Sequence, residues 1–190
     1  MKIGIISTRY AKALLAYTIN HKAERCVFHF MWTLRENFQE LPKLQEAMDS
    51  PVISRKVKYD LLLEASKRKN GDDPRECKEY IRFLKLILTQ HRESYLHFIC
   101  LRYMDLYRRH KKIGIGVLTT AVPVDKETEE KITKISSTIL KMDMRLFTII
   151  NPAIDGGFIF DFEGYRLDAS VASRINRIKQ QFIDKNRRIV

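Results

Sequence analysis

Metal binding is the first chemistry that the spacing of reactive side chains could support. His97 and Cys100 stand three residues apart, so both side chains could lie on one face of a helix. A structural zinc site needs four such ligands, and no further histidine or cysteine stands at a suitable spacing. Cys26, Cys77 and Cys100 are odd in number and far apart in the chain, which favours reduced thiols. We therefore predict no metal site.

Phosphate binding and nucleophilic catalysis lack the motifs that they require. Gly114 and Gly116 form too short a pattern for dinucleotide binding, and Gly156-Gly157 leads into a strand instead of a helix. There is no Gly-x-x-x-x-Gly-Lys-Ser/Thr loop, no nucleophile elbow and no His-Glu-x-x-His pattern. The closely spaced carboxylates fit the solvated first turn of a helix: Glu127, Glu129 and Glu130. We predict no catalytic residue and no cofactor, which argues against a small hydrolase or transferase.

The charge balance is strongly basic, with 35 Lys and Arg residues against 23 Asp and Glu residues and a net charge of +12. The densest clusters lie at 67–69, 108–112 and 187–188. Such a surface attracts nucleic acid, anionic lipid or an acidic protein helix, and charge alone does not choose among them. A nucleic-acid-binding module is therefore an alternative function. The aromatic residues oppose it, because they fall at core spacings instead of interleaving with basic residues.

The chain shows no targeting or membrane-spanning pattern. No apolar run approaches the roughly 20 residues that a helix needs to cross a bilayer. Arg9 and Lys12 interrupt any signal-peptide core after the apolar start of the chain. We expect an unprocessed cytoplasmic protein that meets a membrane only through a partner.

Residues 1–110 are predicted to be helical throughout. The first expected helix runs from a Ser7 or Thr8 cap to Asn20, and the second covers 23–40 and is broken by Leu41-Pro42. A short third helix ends near Ser50-Pro51, Ser54 caps a fourth, and the fifth and sixth cover 75–90 and 93–110. The second should bury Val27, Phe30, Met31, Leu34 and Phe38, and the fourth Val57, Leu61 and Ala65. A loop is expected at 70–74, where Pro74 precedes the fifth helix.

The pattern changes at Lys111. A strand is predicted over 113–122, a helix over 125–142 with an Asp125 cap, and a strand over 145–150. Further strands and a final helix then complete a small α/β unit. The predicted fold is an all-α N-terminal six-helix bundle, residues 1–110, followed by a small α/β C-terminal domain of strands plus two helices, residues 113–190.

The segment 151–178 combines several local signals. Asp155-Gly156-Gly157 opens a hairpin, because glycine permits backbone angles that a side chain forbids. Phe158, Phe160 and Phe162 alternate with Ile159 and Asp161, as in a strand with two distinct faces, and Glu163-Gly164 supplies the next turn. Asp168 and Ser170 supply polar groups that can cap a helix starting near Val171.

This segment resembles the C-terminal signature of the delta-subunit family of rotary ATP synthases, relatives of the mitochondrial oligomycin-sensitivity-conferring protein. The matching positions are Asn151, Pro152, Ile154, Gly156, Gly157, Asp168, Ser170, Val171 and Arg174. Three further segments match in collinear order: 9–14 resembles the opening helix, 83–88 with Arg92 the fifth helix, and 117–124 the strand that opens the second domain. One departure is Asp155, where the family more often has glycine or an aliphatic residue.

The resemblance implies a non-catalytic peripheral-stalk subunit of a proton-translocating F-type ATP synthase. Such a subunit clamps the catalytic head to the stator stalk, so that the head does not rotate with the central shaft. In the family, the first and fifth helices bind the N-terminal helix of an alpha subunit, which implicates Tyr10, Ala13 and Leu14 together with Arg82 and Leu86. For each of these residues, core packing between helices is the alternative interpretation.

The resemblance also implies that the C-terminal domain contacts the b subunits of the stalk. The basic final helix, with Arg174, Arg177 and Lys179, could meet acidic stalk helices. The alternative for the signature residues is that they only maintain the fold. The expected location is the cytoplasmic face of a bacterial plasma membrane, peripheral to it, without membrane insertion and without nucleic acid.

Overall fold

The computed structural model describes residues 2–67 and 73–187, and its contacts divide the chain into two compact units, Met1–His110 and Lys111–Val190. Arg68 and Lys69 of the first predicted basic cluster, the start of the predicted loop at 70–72 and Arg188 lie outside the described residues.

The first unit is helical, as predicted. Its helices are α1 Lys2–Asn20, α2 Glu24–Glu40, α3 Pro42–Asp49, α4 Arg55–Ser66, α5 Lys78–Thr89 and α6 Leu96–Lys111, with short 3₁₀ turns at Pro74–Glu76 and Glu93–Tyr95. The predicted cap at Ser7 or Thr8 is wrong, because α1 begins at Lys2 and both residues lie inside it. Ser7 is instead fully buried inside α1, where its Oγ donates to the carbonyl oxygen of Ile3 at 2.8 Å.

The core of the first unit is built from apolar stripes on α2, α5 and α6. The predicted core residues of α2 are all buried, as are Phe83, Leu84 and Ile87 on α5. Hydroxyl groups in this core find partners across the unit. Thr18 Oγ1 lies 3.2 Å from Tyr103 Oη. Each such pair offsets the cost of removing a polar group from water.

The predicted buried face of α4 is wrong. Val57 and Leu61 are exposed, and the buried positions are Lys58, Leu62, Leu63 and Ser66. Lys58 Nζ donates to Glu93 Oε1 at 2.8 Å and to the Met48 carbonyl oxygen at 2.7 Å. Ser66 Oγ lies 2.5 Å from Tyr80 Oη. These polar partners, which lie outside α4, allow Lys58 and Ser66 to share the buried face of the helix with Leu62 and Leu63.

The second unit contains β1 Ile113–Thr120, α7 Lys126–Leu140, β2 Asp143–Ile150, a 3₁₀ turn Pro152–Ile154, β3 Phe158–Phe162, β4 Tyr165–Asp168 and α8 Val171–Arg187. The strands form one sheet in the order β2-β1-β3-β4. β1 pairs with β2 in parallel and with β3 in antiparallel orientation, and β3 and β4 form the predicted hairpin. The α/β character of the C-terminal part is thus confirmed.

Helix α7 lies on the face of the sheet that carries Leu118 and Phe160. Two hydrogen bonds attach α7 to β2: Thr148 donates to Glu129, and the Met144 N–H donates to Ser137 Oγ at 3.2 Å. The predicted side-chain cap at Asp125 is wrong. Its carboxylate makes no capping bond, and its backbone carbonyl accepts from the Thr128 and Glu129 N–H groups instead.

Candidate functional site

A groove lies between α1 and α5, with a volume of about 250 Å³. We call it the α1–α5 groove. Its lining includes every residue that the sequence singled out on these two helices: Tyr10, Ala13, Leu14, Arg82 and Leu86. Residues that are far apart in the sequence of the first unit therefore meet at one surface.

The groove has an apolar floor with room above it. Leu14 and Phe83 are buried at its base, whereas Ala13 is exposed and Leu86 keeps 48% of its surface in contact with solvent. The methyl group of Ala13 leaves space where a larger side chain would stand. A half-exposed leucine beside a small residue offers apolar area that a bound helix can bury.

Polar groups border one side of the groove. Arg82 Nη1 donates to Tyr17 Oη at 3.3 Å, and the guanidinium carbon lies 5.6 Å from the Tyr17 ring centroid. Glu79 stands one helical turn before Arg82 and also lines the groove. A positive and a negative group at the same edge can orient a charged helix. The hydrogen bond between Arg82 and Tyr17 is exposed to solvent and contributes little to the stability of the chain itself.

Tyr17, Glu79 and Phe83 also line the groove, although they were not among the predicted site residues. Helical periodicity places Tyr17 on the face of α1 that carries Tyr10 and Leu14. Phe83 belongs to the segment that resembles the family's fifth helix, yet it is buried by the core and contributes to the groove floor. Glu79 has no sequence signal of its own beyond its one-turn spacing from Arg82.

Cys100 and His97, the two residues whose spacing raised the question of metal binding, lie inside the helical unit, Cys100 in its core and His97 half-buried. Cys100 is fully buried, its Sγ donates to Met31 Sδ at 3.3 Å, and burial raises the pKa of its thiol. Burial, together with the charge of Arg35, lowers the pKa of His97. Within residues 2–67 and 73–187, no three His, Cys, Asp or Glu side chains are grouped closely enough to hold a metal ion.

The signature glycines lie where backbone segments meet. Gly157 has φ +75°, and a Cβ there would collide with the carbonyl oxygen of Ala169. Gly156 accepts a hydrogen bond from the Val171 N–H at 3.0 Å, which ties the turn before β3 to the start of α8. Asn151 Oδ1 accepts from the Ala153 N–H at 3.1 Å and so begins the 3₁₀ turn. These signature positions therefore maintain the local fold.

Asp168 and Ser170 cap α8, as their spacing predicts. Asp168 Oδ1 accepts hydrogen bonds from the Ser170 N–H and Oγ, and Oδ2 accepts from Ser173 Oγ at 2.7 Å. These bonds, those from Ser170 first, lower the pKa of Asp168 to about 2. Ser170 Oγ accepts in turn from the Ser173 N–H at 3.3 Å. Arg174, the last signature residue, is exposed on α8.

Comparison with known proteins places this architecture in a family. A family model described as ATP synthase delta (OSCP) subunit matches residues 6–182. The chain belongs to this family. Two bacterial proteins named ATP synthase subunit delta are similar to it over the full length of both chains, one from Bacteroides thetaiotaomicron at 50% identity and one from Bacteroides fragilis at 47%.

The fold agrees with a solved structure of an ATP synthase chain. A chain in the cryo-EM structure of the Toxoplasma gondii mitochondrial ATP synthase hexamer matches with a TM-score of 0.65 and 19% sequence identity. The match covers 93% of this chain and 97% of that chain.

Membership in the delta (OSCP) family makes the chain a structural subunit in the peripheral stalk of an F-type ATP synthase. Its role therefore belongs to ATP synthesis and hydrogen ion transport by a membrane-associated complex. None of the described helices combines the length and the apolar composition that crossing a membrane requires. The nucleic-acid alternative finds no support in these comparisons.

Proposed function

We propose that the chain clamps the catalytic head of the synthase to its stator stalk through two separate binding surfaces. The α1–α5 groove binds the N-terminal helix of an alpha subunit, and the second unit binds the b subunits. The observation that carries the proposal is the convergence of Tyr10, Ala13, Leu14, Arg82 and Leu86 on one apolar groove with a charged edge. A clamp of this kind transmits the torque that stops the head from turning with the central shaft.

The dimensions and chemistry of the groove suit a helix. An amphipathic helix binds by inserting apolar residues at i, i+3, i+4 and i+7 into an apolar groove. Burial of the exposed half of Leu86 contributes on the order of 1 kcal/mol, since full burial of a leucine contributes about 1.5–3 kcal/mol. Arg82 and Glu79 at the edge set the orientation of the bound helix more than its affinity.

The second unit offers an apolar surface for the stalk on the sheet face that points away from α7. Phe147 and Ile149 on β2 lie on that face, because they alternate with Thr148, whose side chain bonds to α7. Both are more than half exposed. Helix α8 adds exposed Ile175 and Ile178 among its basic residues: Arg174, Arg177 and Lys179. This combination suits acidic stalk helices and would hold the chain at the cytoplasmic face of a bacterial plasma membrane.

Calorimetric titration with the N-terminal peptide of the alpha subunit from the same organism tests the groove. The full chain should bind the peptide with one-to-one stoichiometry. Ala13→Asp should abolish binding, because it places a carboxylate over the apolar floor, and an unpaired charge there costs several kcal/mol on burial.

Ala16→Asp is the matched control for this titration. Ala16 is exposed on the same helix and does not line the groove, so its replacement should leave the peptide affinity unchanged. Both variants should retain the helical circular dichroism of the parent. A folded parent chain that fails to bind the peptide, or equal losses in the two variants, would refute the assignment of this groove.

A further inference from the structure

The first unit carries a second and larger groove near the N-terminal end of α1. Its volume is about 630 Å³, and α1, α2 and α6 all contribute to it. We call it the α1–α2–α6 groove and define it by Ile3, Trp32, Arg35, Phe98, Arg102 and Arg108. None of these residues belongs to the α1–α5 groove, and none carries part of the function proposed above.

The apolar side chains of this groove are large and only partly covered. Ile3, Trp32 and Phe98 are exposed by 45%, 39% and 46%. A cluster of such side chains at one surface is a common mark of a binding site. Gly4 lies beside them, and a Cβ built on it would meet no heavy atom within 4 Å. The absence of a side chain there lets the backbone of a partner approach α1 closely.

The groove is elongated along α6. The lining residues Phe98, Leu101, Arg102, Asp105 and Arg108 recur at three- and four-residue intervals, so they form a single stripe on that helix. A stripe of this extent is about 15 Å long at 1.5 Å per residue. A linear surface of this length matches an amphipathic helix better than a compact small molecule.

Positive charge in the lining exceeds negative charge. Three guanidinium groups and one carboxylate line the groove, and Arg102 and Arg108 share that carboxylate, Asp105, at 3.8 Å and 2.5 Å. Arg35 lies over the Trp32 ring, with its guanidinium carbon 5.5 Å from the centroid. The lining therefore carries an excess of two positive charges, which favours a partner that brings carboxylates from outside the chain.

We propose that the α1–α2–α6 groove docks an amphipathic helix of another subunit of the assembly, with acidic side chains along one edge of its apolar face. The apolar face packs against Ile3, Phe98 and Leu101, and its carboxylates pair with Arg35 and Arg102. The proposal rests on the family membership of the chain and does not depend on the partner of the α1–α5 groove.

Photo-crosslinking in the purified, fully assembled synthase tests this docking. Phe98 is replaced by p-benzoylphenylalanine, which keeps an aromatic ring at the half-exposed position, and the crosslinked peptide is identified by mass spectrometry. The expected product joins position 98 to a helical segment of another subunit that carries Asp or Glu beside apolar residues. Arg102→Glu should lower the crosslink yield about tenfold, the effect of losing one charge-assisted hydrogen bond.

Arg9→Glu is the matched charge reversal, because Arg9 is exposed on α1 and lines neither groove. It should leave the yield unchanged. A lipid adduct, no adduct, or a yield insensitive to Arg102→Glu would overturn the proposal. The same photoreactive group at Leu86 tests the α1–α5 groove in parallel. A crosslink from position 98 without one from position 86 supports this docking and contradicts the alpha-subunit assignment of the α1–α5 groove. A crosslink from position 86 without one from position 98 supports the alpha-subunit assignment and contradicts this docking.

Discussion

Gly157→Ala tests whether backbone packing explains the adjacent glycines of the signature segment. At φ +75°, the left-handed backbone costs a residue with a side chain about 1–2 kcal/mol. The added Cβ would also collide with the Ala169 carbonyl oxygen and lie 3.1 Å from Ser170 Cα. Overpacking of this kind costs about 1–3 kcal/mol, so the expected loss is about 2–5 kcal/mol of the second unit's unfolding free energy.

Amide hydrogen exchange is the appropriate assay, because the chain has two units and a single unfolding curve would merge them. Protection of the β3 and β4 amides should fall by a factor of about 30 or more, since each 1.4 kcal/mol is tenfold. Trp32, the single tryptophan of the chain, lies on α2 in the first unit. Its fluorescence should therefore report an unchanged first unit in the same variant.

Gly164→Ala is the control that separates the cost of a left-handed backbone from the cost of the steric collision at position 157. Gly164 has φ +88°, but a Cβ there would meet no heavy atom within 4 Å. The unfolding free energy of the second unit should fall by only about 1–2 kcal/mol in this control, the cost of the left-handed backbone alone. If both variants lose protection equally, or if Gly157→Ala loses none, the collision with Ala169 is not the reason for glycine at this position.

Two further predictions concern buried and capping charges. Lys58→Met leaves the buried Glu93 carboxylate without its ion-pair partner and should destabilise the first unit by about 3–5 kcal/mol in urea unfolding followed by tryptophan fluorescence. The double variant with Glu93→Leu should recover most of the lost unfolding free energy. If it recovers none, the unpaired Glu93 charge is not the cause of the destabilisation. Asp168 should titrate near pH 2 by nuclear magnetic resonance, because hydrogen bonds from Ser170 and Ser173 lower its pKa from 3.8. Its contribution to the start of α8 is therefore fully present above pH 3.8 and is lost as the pH falls through about 2. Ser173→Ala should raise the titration midpoint, and an unchanged midpoint would show that this bond does not form in solution.

Most of the secondary structure could be predicted from local patterns. The apolar periodicity of α2 identified its core residues, and the glycine and acidic turn signals located the β3–β4 hairpin and the start of α8. These features depend on neighbours within a few residues, which a sequence displays directly. Helix α4 is the exception, because its buried face contains Lys58 and Ser66, whose partners are distant in the chain.

The two grooves also differ in how much of each could be predicted from the sequence. Family resemblance named the five predicted positions of the α1–α5 groove, and their arrangement as one groove required the packing of α1 against α5. The assignment of these residues to an alpha subunit stays a prediction. The α1–α2–α6 groove had no sequence signal, because its aromatic, apolar and basic residues stand on three helices that are separated in the chain.

The sequence alone determined the order and type of the helices and strands, the turns between them and the family resemblance, because periodicity, capping and glycine conformation act over short distances. Only the tertiary structure decided which side of α4 is buried, which hydroxyl and charged groups pair inside the core, and which helix faces remain uncovered as grooves. Those outcomes depend on contacts between residues far apart in the chain, where packing and desolvation of the whole unit outweigh local preference.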